Sequence, residues 1–354
     1  MLPLSLVRMD AGRRPPGTAA APNERAQSRR YMLTGLGVVA AVAAGLRPVV
    51  GGAQNISPRP ARIIVPFAPG AAVDIVARLL ATPLSAEWGK TVIVENRTGG
   101  RTLIAADAVA HSEPDGDTLL LCLDDTFTIV PHLSKPGTAD PIKALVPIGL
   151  IGAIPLALVV TPSLPVDSIP ALIAYARSNP TALSYGSSGS GSLPHLAMEV
   201  LKTQANINMV HVPYRGLAPA QTAVIAGEVQ IAILGIGSSR SMIEAGRLRA
   251  IAIATGAPDR IKSMPGVPTT GELGFPRVDA TSRLTLAGPI KMSDEMIGRI
   301  HNTVLRALAD PDTRRQIEAR DIVLTDLGPK PVAEIERISR ANAEAVRIAG
   351  IEPE

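Results

Sequence analysis

Two stretches of this chain combine small residues with free main-chain donors in a way that suits a negatively charged guest. The first runs Pro66-Phe67-Ala68-Pro69-Gly70-Ala71-Ala72-Val73-Asp74. It leaves an apolar strand and opens a helix, so unpaired N–H groups and the positive end of a helix dipole meet there. Gly70 and the neighbouring alanines let a ligand come close to the backbone. Asp74 falls in the first helical turn, where a carboxylate either caps N–H groups or receives a polar group of a ligand. The second stretch, Tyr185-Gly186-Ser187-Ser188-Gly189-Ser190-Gly191-Ser192-Leu193-Pro194-His195, also follows a strand and precedes a helix. Its hydroxyls and bare amides form a cradle for a carboxylate or phosphate. The plainer readings are a strand–helix turn with a capping Asp in the first case and a flexible Gly/Ser connection in the second.

The same residues argue against other chemistries. No Gly-Lys-Ser/Thr follows the Gly/Ser loop, so it is not a nucleotide P-loop, and a Gly-x-Ser-x-Gly nucleophile turn does not occur in it. A serine hydrolase is the main rival, and it needs a nucleophile, a base and an orienting group. The five histidines, His111, His132, His195, His211 and His301, show no pairing motif. His195 is the best candidate base, and its plainer role is that of a helix-start residue bonded to the loop. His-x3-His and Cys-x2-Cys spacings are absent, so neither a metal site nor a cofactor is expected. Cys122 is the only cysteine, which rules out an internal disulfide.

The elements that must hold the loops follow from the apolar pattern. Arg62 to Phe67 reads as a buried strand, Val73 to Ser85 as a helix with one apolar face, and Thr91 to Glu95 as a second strand. Leu103 to Ala110 reads as a short helix and Thr118 to Leu123 as a third strand. This alternation is the signature of a parallel α/β sheet. The pattern restarts after Pro155 with strands at Leu156–Val160, Leu183–Tyr185, Met209–Val212, Val229–Leu234 and Leu248–Ala254. Helices Ile169–Ser178, Pro194–Ala205 and Ala218–Ala226 lie between them. A late strand Leu284–Ala287 and helices Glu295–Leu308 and Pro331–Ile348 complete the chain. Two successive α/β units imply two lobes with a cleft between them, and ligands in open α/β sheets lie beyond the carboxyl ends of the strands.

A length of 354 residues agrees with about two domains. Apolar residues make up 46% and charged residues 19%, the balance of a folded globular chain. Aromatic residues are only 2%, too few for a surface that stacks bases or sugar rings. The net charge of +4 does not indicate nucleic acid. Residues 1–53 carry seven arginines against Asp10 and Glu24, so the basic excess belongs to the leader. There Ser28-Arg29-Arg30-Tyr31-Met32-Leu33 precedes an apolar run from Met32 to Leu46, and Gly51-Gly52-Ala53 supplies small residues for cleavage before Gln54. This predicts an export signal, of twin-arginine or ordinary secretory type, and a periplasmic protein cut near Ala53.

Several segments together resemble the tripartite tricarboxylate transporter receptors, also called Bug-type solute receptors. They are Pro58 to Gly70 with Asp74, Val94-Glu95-Asn96-Arg97, Pro114-Asp115-Gly116-Asp117-Thr118-Leu119-Leu120, the Gly/Ser loop with His195, His211-Val212-Pro213-Tyr214-Arg215-Gly216, and Met264-Pro265-Gly266-Val267-Pro268-Thr269. They occur in the family's order over residues 57–354. The resemblance implies a two-lobed periplasmic-binding-protein fold (Venus flytrap, type II-like) with a ligand cleft between lobes. It implies lobe 1 from residues 57–157 plus 283–330, lobe 2 from 158–282, and a C-terminal helix in 331–354 packed across both. It further implies a monomer that holds a small organic carboxylate and delivers it to a two-component membrane transporter, without catalysis. A sensor subunit for a membrane kinase would share these features. The implied ligand contacts are Phe67, Pro69, Gly70, Ala71 and Asp74; Asp125 and Thr126; Ser187, Ser188, Gly189, Ser190, Gly191, Ser192 and His195; and Tyr214 and Gly235.

The chain also departs from the family pattern. Ala71 replaces a usual glycine, and Arg101 follows a shortened glycine stretch. Leu234-Gly235-Ile236 stands where an acid and an Asn are common, which argues against an amine-bearing ligand. Arg101 and Arg283 are candidate partners for a second carboxylate, their plainer role being that of solvated surface arginines.

Overall fold

The computed structural model describes residues 59–135, 140–258 and 260–353. The leader and its cleavage position lie outside the described residues. The order of elements is β1 (Ala61–Val65), α1 (Ala72–Trp88), β2 (Val92–Asn96), α2 (Leu103–Ala110), β3 (Thr118–Leu123), α3 (Asp125–Thr128), α4 (Val130–Leu133) and β4 (Leu145–Ile154). The chain continues through β5 (Leu156–Val160), α5 (Ile169–Ser178), β6 (Ser184–Ser187), α6 (Leu193–Ala205), β7 (Val210–Pro213), α7 (Leu217–Ala226), β8 (Ile231–Gly235), α8 (Ile236–Glu244) and β9 (Arg249–Ile253). It returns through β10 (Ser282–Pro289), α9 (Asp294–Ala309), α10 (Pro311–Glu318), β11 (Val323–Leu324) and α11 (Val332–Ile348).

The strands form two sheets, ordered β11-β4-β10-β3-β1-β2 and β7-β6-β8-β5-β9. A wholly parallel arrangement was expected from the strand–helix alternation, yet both sheets are mixed. β2, β1 and β3 run parallel, as do β7, β6 and β8, whereas β10 and β5 run antiparallel to their neighbours. The reason is the route of the chain. It leaves the first sheet at the end of β4 and enters the second at the start of β5, with only Pro155 between. It leaves the second sheet at the end of β9 and re-enters the first at the start of β10. A strand that enters at the hinge must oppose strands that finish there.

The register fixes which loops meet. Leu123 at the end of β3 lies beside Leu284, and Ser282 lies beside Ile154 at the end of β4. In the second sheet Leu156 pairs with Gly235, the last residue of β8, and Ser187 pairs with Pro213 at the ends of β6 and β7. The carboxyl ends of β1 and β3 therefore face the hinge from one side, and those of β6, β7 and β8 from the other.

Each sheet is buried in its own core. Ile63, Val65, Leu119 and Leu121 pack against α1 (Val73, Val76, Leu80, Leu84) and α9 (Ile297, Ile300, Val304). That spacing on α1 is the apolar stripe of a helix lying on a sheet. In the second sheet Leu158, Val160, Tyr185, Ile231 and Ile233 pack against Leu172 of α5 and Leu196 and Val200 of α6. Ile129 and Leu133 also belong to this second core, although their segment follows β3 of the first sheet. Helix α11 covers the junction. Its Ala345 and Val346 join the second core, its Ser339 hydroxyl meets His132 Nε2 at 2.8 Å, and its Asn342 donates to Thr128 Oγ1 at 3.0 Å. No helix among the described residues is long and apolar enough to cross a membrane.

Candidate functional site

The first loop is held open by its own hydrogen bonds. Gly70 sits at φ +86° with nothing within 4 Å of the position a Cβ would take. Its N–H donates to Asp74 Oδ2 at 2.8 Å. The Asp74 carboxylate also accepts from Arg78 Nε at 3.0 Å and from Asn96 Nδ2 at 2.8 Å, and Asn96 donates in turn to the Phe67 carbonyl at 2.9 Å. Burial pushes this carboxyl up, but the hydrogen bonds from Arg78, Gly70 and Asn96 outweigh it and hold the group at about 2. Asp74 is therefore a permanent anion whose oxygens are engaged within the protein. It shapes the loop, while Pro69 and Gly70 stay exposed and Ala71 half-buried.

Because Asp74 turns back to Gly70, no side chain caps the N-terminus of α1. The same holds for α6, α7 and α8, whose cap positions are Ser192, Gly216 and Gly235. These four helices start at the hinge-facing ends of β1, β6, β7 and β8. By contrast α5 and α9 follow strands that run away from the hinge, and they are capped by Ser168 and Ser293. Free helix-start amides are thus gathered at the face between the lobes.

In the Gly/Ser loop the side chains bind the loop to itself. Ser192 Oγ donates to the Gly189 carbonyl at 2.7 Å, and the Gly189 N–H donates to Ser187 Oγ at 3.1 Å. Ser187 Oγ lies 2.7 Å from His211 Nε2, and the Gly191 N–H donates to His195 Nδ1 at 3.1 Å. Gly189 and Gly191 adopt φ +130° and +77°, conformations that favour glycine. A Cβ on Gly191 would come within 2.6 Å of Leu133, so this loop packs directly on α4. The N–H groups of Ser188 and Ser190 donate to no acceptor among the described residues. Ser187 and His195 are buried, whereas Ser188 is half-buried and Ser190 exposed. Tyr214 is half-buried and its N–H donates to the Ser187 carbonyl at 3.0 Å, which ties β7 to the loop.

The segment that follows β3 is built differently from expectation. Thr126 is fully buried, with its hydroxyl bonded to Thr102 at 3.1 Å. Arg283 is no solvated surface arginine. Its guanidinium holds Asp124 Oδ2 at 3.3 Å and Asp279 Oδ2 at 3.2 Å, and its N–H donates to Asp124 Oδ1 at 2.7 Å. Burial pushes Asp124 up to about 6, against the pull of Arg283. Asp125 is pushed to about 7, by burial first and then by Asp124, and its Oδ1 is buried without a hydrogen-bond partner among the described residues. Arg101 sits at φ +51° in the turn before α2 and is exposed. The Asp124–Arg283 pair has no sequence signal, because Asp124 reaches the arginine only through the register of β3 and β10, whereas Asp279 lies four residues before it in the chain. Across the hinge, Arg240 of α8 forms an ion pair with the buried Asp321, in the turn between α10 and β11.

Two sheets joined by a hinge, with uncapped helix starts on both sides of the crevice, define a solute-binding protein of the two-lobed periplasmic type. Comparison with known proteins carries this to a family. Residues 76–327 match the model of the tripartite tricarboxylate transporter family receptor, and the chain belongs to that family. It is 35% identical over 280 residues to protein BugT of Bordetella pertussis, covering 78% of this chain and 84% of that one. Among solved structures it is similar to R. palustris Rpa4515 with adipate, at 30% identity and a TM-score of 0.72 over 84% of this chain and 99% of that one. It also resembles MatC from Rhodopseudomonas palustris with bound malate, at 25% identity and a TM-score of 0.66, covering 82% and 98%.

Proposed function

We propose that this chain is a periplasmic receptor that closes its lobes on a small carboxylate and presents it to a two-component membrane transporter without altering it. The observation that carries the reading is the distribution of helix caps. Ser168 and Ser293 cap α5 and α9, which start away from the hinge, whereas the starts of α1, α6, α7 and α8 at the cleft carry no side-chain cap and offer amides to an external anion. The related proteins with bound adipate and malate support a carboxylate as that anion. The contacts proposed are the amides in the first turn of α1, those of Ser188 and Ser190, and the start of α8 at Gly235, while Gly70 and Ala71, whose N–H groups are held by Asp74 Oδ2 and the Ala68 carbonyl, set the shape of the first loop. Phe67, Tyr214 and the buried serines supply the supporting shape. The protein is expected to act as a monomer exported through its leader.

Calorimetry on residues 54–354 with adipate, malate and the uncharged adipamide tests this. The acids are expected to bind and the diamide to fail. Equal binding of adipamide, or conversion of any of the three to product, would refute the reading.

A further inference from the structure

His195 and His211 stack face to face, with ring centroids 3.7 Å apart and planes 8° from parallel. Both reach the Gly/Ser loop. His195 Nδ1 accepts the Gly191 N–H, so the neutral ring carries its proton on Nε2. For His211 the donor follows from counting lone pairs. The Gly189 carbonyl already accepts from Ser192 Oγ at 2.7 Å and from the Ser192 N–H at 3.2 Å. Ser187 Oγ also lies 3.1 Å from that carbonyl, but with both lone pairs taken by Ser192 the single hydroxyl proton is assigned to the shorter contact, His211 Nε2 at 2.7 Å, and Ser187 Oγ is left to accept the Gly189 N–H. Through this pair of imidazoles both glycine amides of the loop are pinned.

The place of His195 shows why an imidazole is used. Counting from the cap Ser192, it is the third residue of α6, where a glutamate commonly reaches back to a backbone N–H. A carboxylate there would fix the loop equally well but would put a negative charge directly beneath an anion site. A neutral ring supplies the acceptor without the charge. We infer that His195 and His211 are positioning residues, an uncharged clamp that sets the Gly/Ser loop in its anion-receiving shape; the inference rests on the carboxylate reading above.

The surroundings keep the clamp neutral. Tyr185 stacks on His211 at 5.0 Å, and its hydroxyl donates to Glu199. Lys202 also bonds Glu199, at 2.6 Å, and Lys135 and Glu352 face the same groove as the two rings. Burial lowers both imidazoles, His195 to about 4, where the second ring adds to the effect, and it outweighs the opposing pull of the Glu199 carboxylate on each ring. Protonation of His195 would turn its Nδ1 from acceptor to donor and expel the Gly191 N–H.

Four variants separate acceptor from charge. His195→Asn and His211→Gln keep an acceptor near the original position and are expected to bind adipate or malate within about threefold of the parent. His195→Leu removes the acceptor and is expected to weaken binding at least about tenfold. His195→Asp keeps the acceptor, adds the charge, and is expected to lose at least as much while melting near the parent. The parent's affinity should also fall more steeply than that of His195→Asn between pH 5 and 4, since both share the ligand's own protonation. Equal affinity of the Asp and Asn variants, or identical pH profiles, would overturn the clamp. If neither acid binds the parent protein, the carboxylate reading fails by itself. The clamp is then decided by nitrogen NMR of the imidazoles and by amide exchange. Slow exchange at Gly191 with His195 protonated at Nε2 upholds it, whereas a freely titrating His195 of ordinary pKa overturns it.

Discussion

Replacing Gly70 by alanine tests whether the first loop serves ligand or fold. Gly70 lies at φ +86°, and a Cβ there meets nothing within 4 Å. The substitution therefore creates no clash, and its cost is that of holding a side chain in left-handed backbone, roughly 1–2 kcal/mol. Gly227 provides the matched control. It sits at φ +79°, is equally unobstructed, and ends α7 at the far end of the second sheet. Both variants are expected to lower the melting temperature by a few degrees, at roughly 2–4 °C per kcal/mol for a chain of this size. Only Gly70→Ala has a cheaper escape that touches the site. Relaxing to negative φ swings its N–H away from Asp74 Oδ2 and displaces the start of α1. Calorimetry with adipate and malate should then show at least about tenfold weaker binding, or about 1.4 kcal/mol, for Gly70→Ala and no change for Gly227→Ala. Equal affinities in the two variants would show that the loop is merely a structural turn.

The hinge supplies two further predictions. The folded-state values of Asp124, near 6, and Asp125, near 7, lie above the ordinary 3.8, so the fold favours their protonated forms and loses stability as pH rises from about 4 to 7. Asp125→Asn should remove part of that decline and raise the melting temperature at pH 7.5; a melting temperature that climbs with pH across this window in the parent would contradict the assignment. Arg240→Ala removes the guanidinium that meets buried Asp321 across the hinge. It should cost about 1–3 kcal/mol and widen the ligand-free protein in small-angle scattering, and an unchanged radius would show that the pair does not hold the lobes together.

What could be read in the sequence was local. The first loop and the Gly/Ser loop announce themselves through turn chemistry within ten residues, and the apolar stripes of α1 and α9 through helical spacing. Strand direction was not legible, because it depends on where the chain crosses the hinge. β4 also escaped notice. Pro147, Gly149 and Gly152 disguise it as a loop, yet a Cβ on Gly149 would come within 2.7 Å of His301, and one on Gly152 within 3.2 Å of Leu284. Those glycines admit packing partners from α9 and β10 that no local pattern reveals. Ser187 with His211 and Asp124 with Arg283 share this limit, being 24 and 159 residues apart.

The short segment after β3 belongs to both halves of the molecule. Thr126 is tied to Thr102 in the first half, while Ile129 and Leu133, within two turns of it, are embedded in the core of the second. A swing of one half against the other must therefore twist α3 itself. The Gly/Ser loop, seated against Leu133, would ride with that swing, so the pivot of the jaw and the seat of the loop are one continuous stretch of chain.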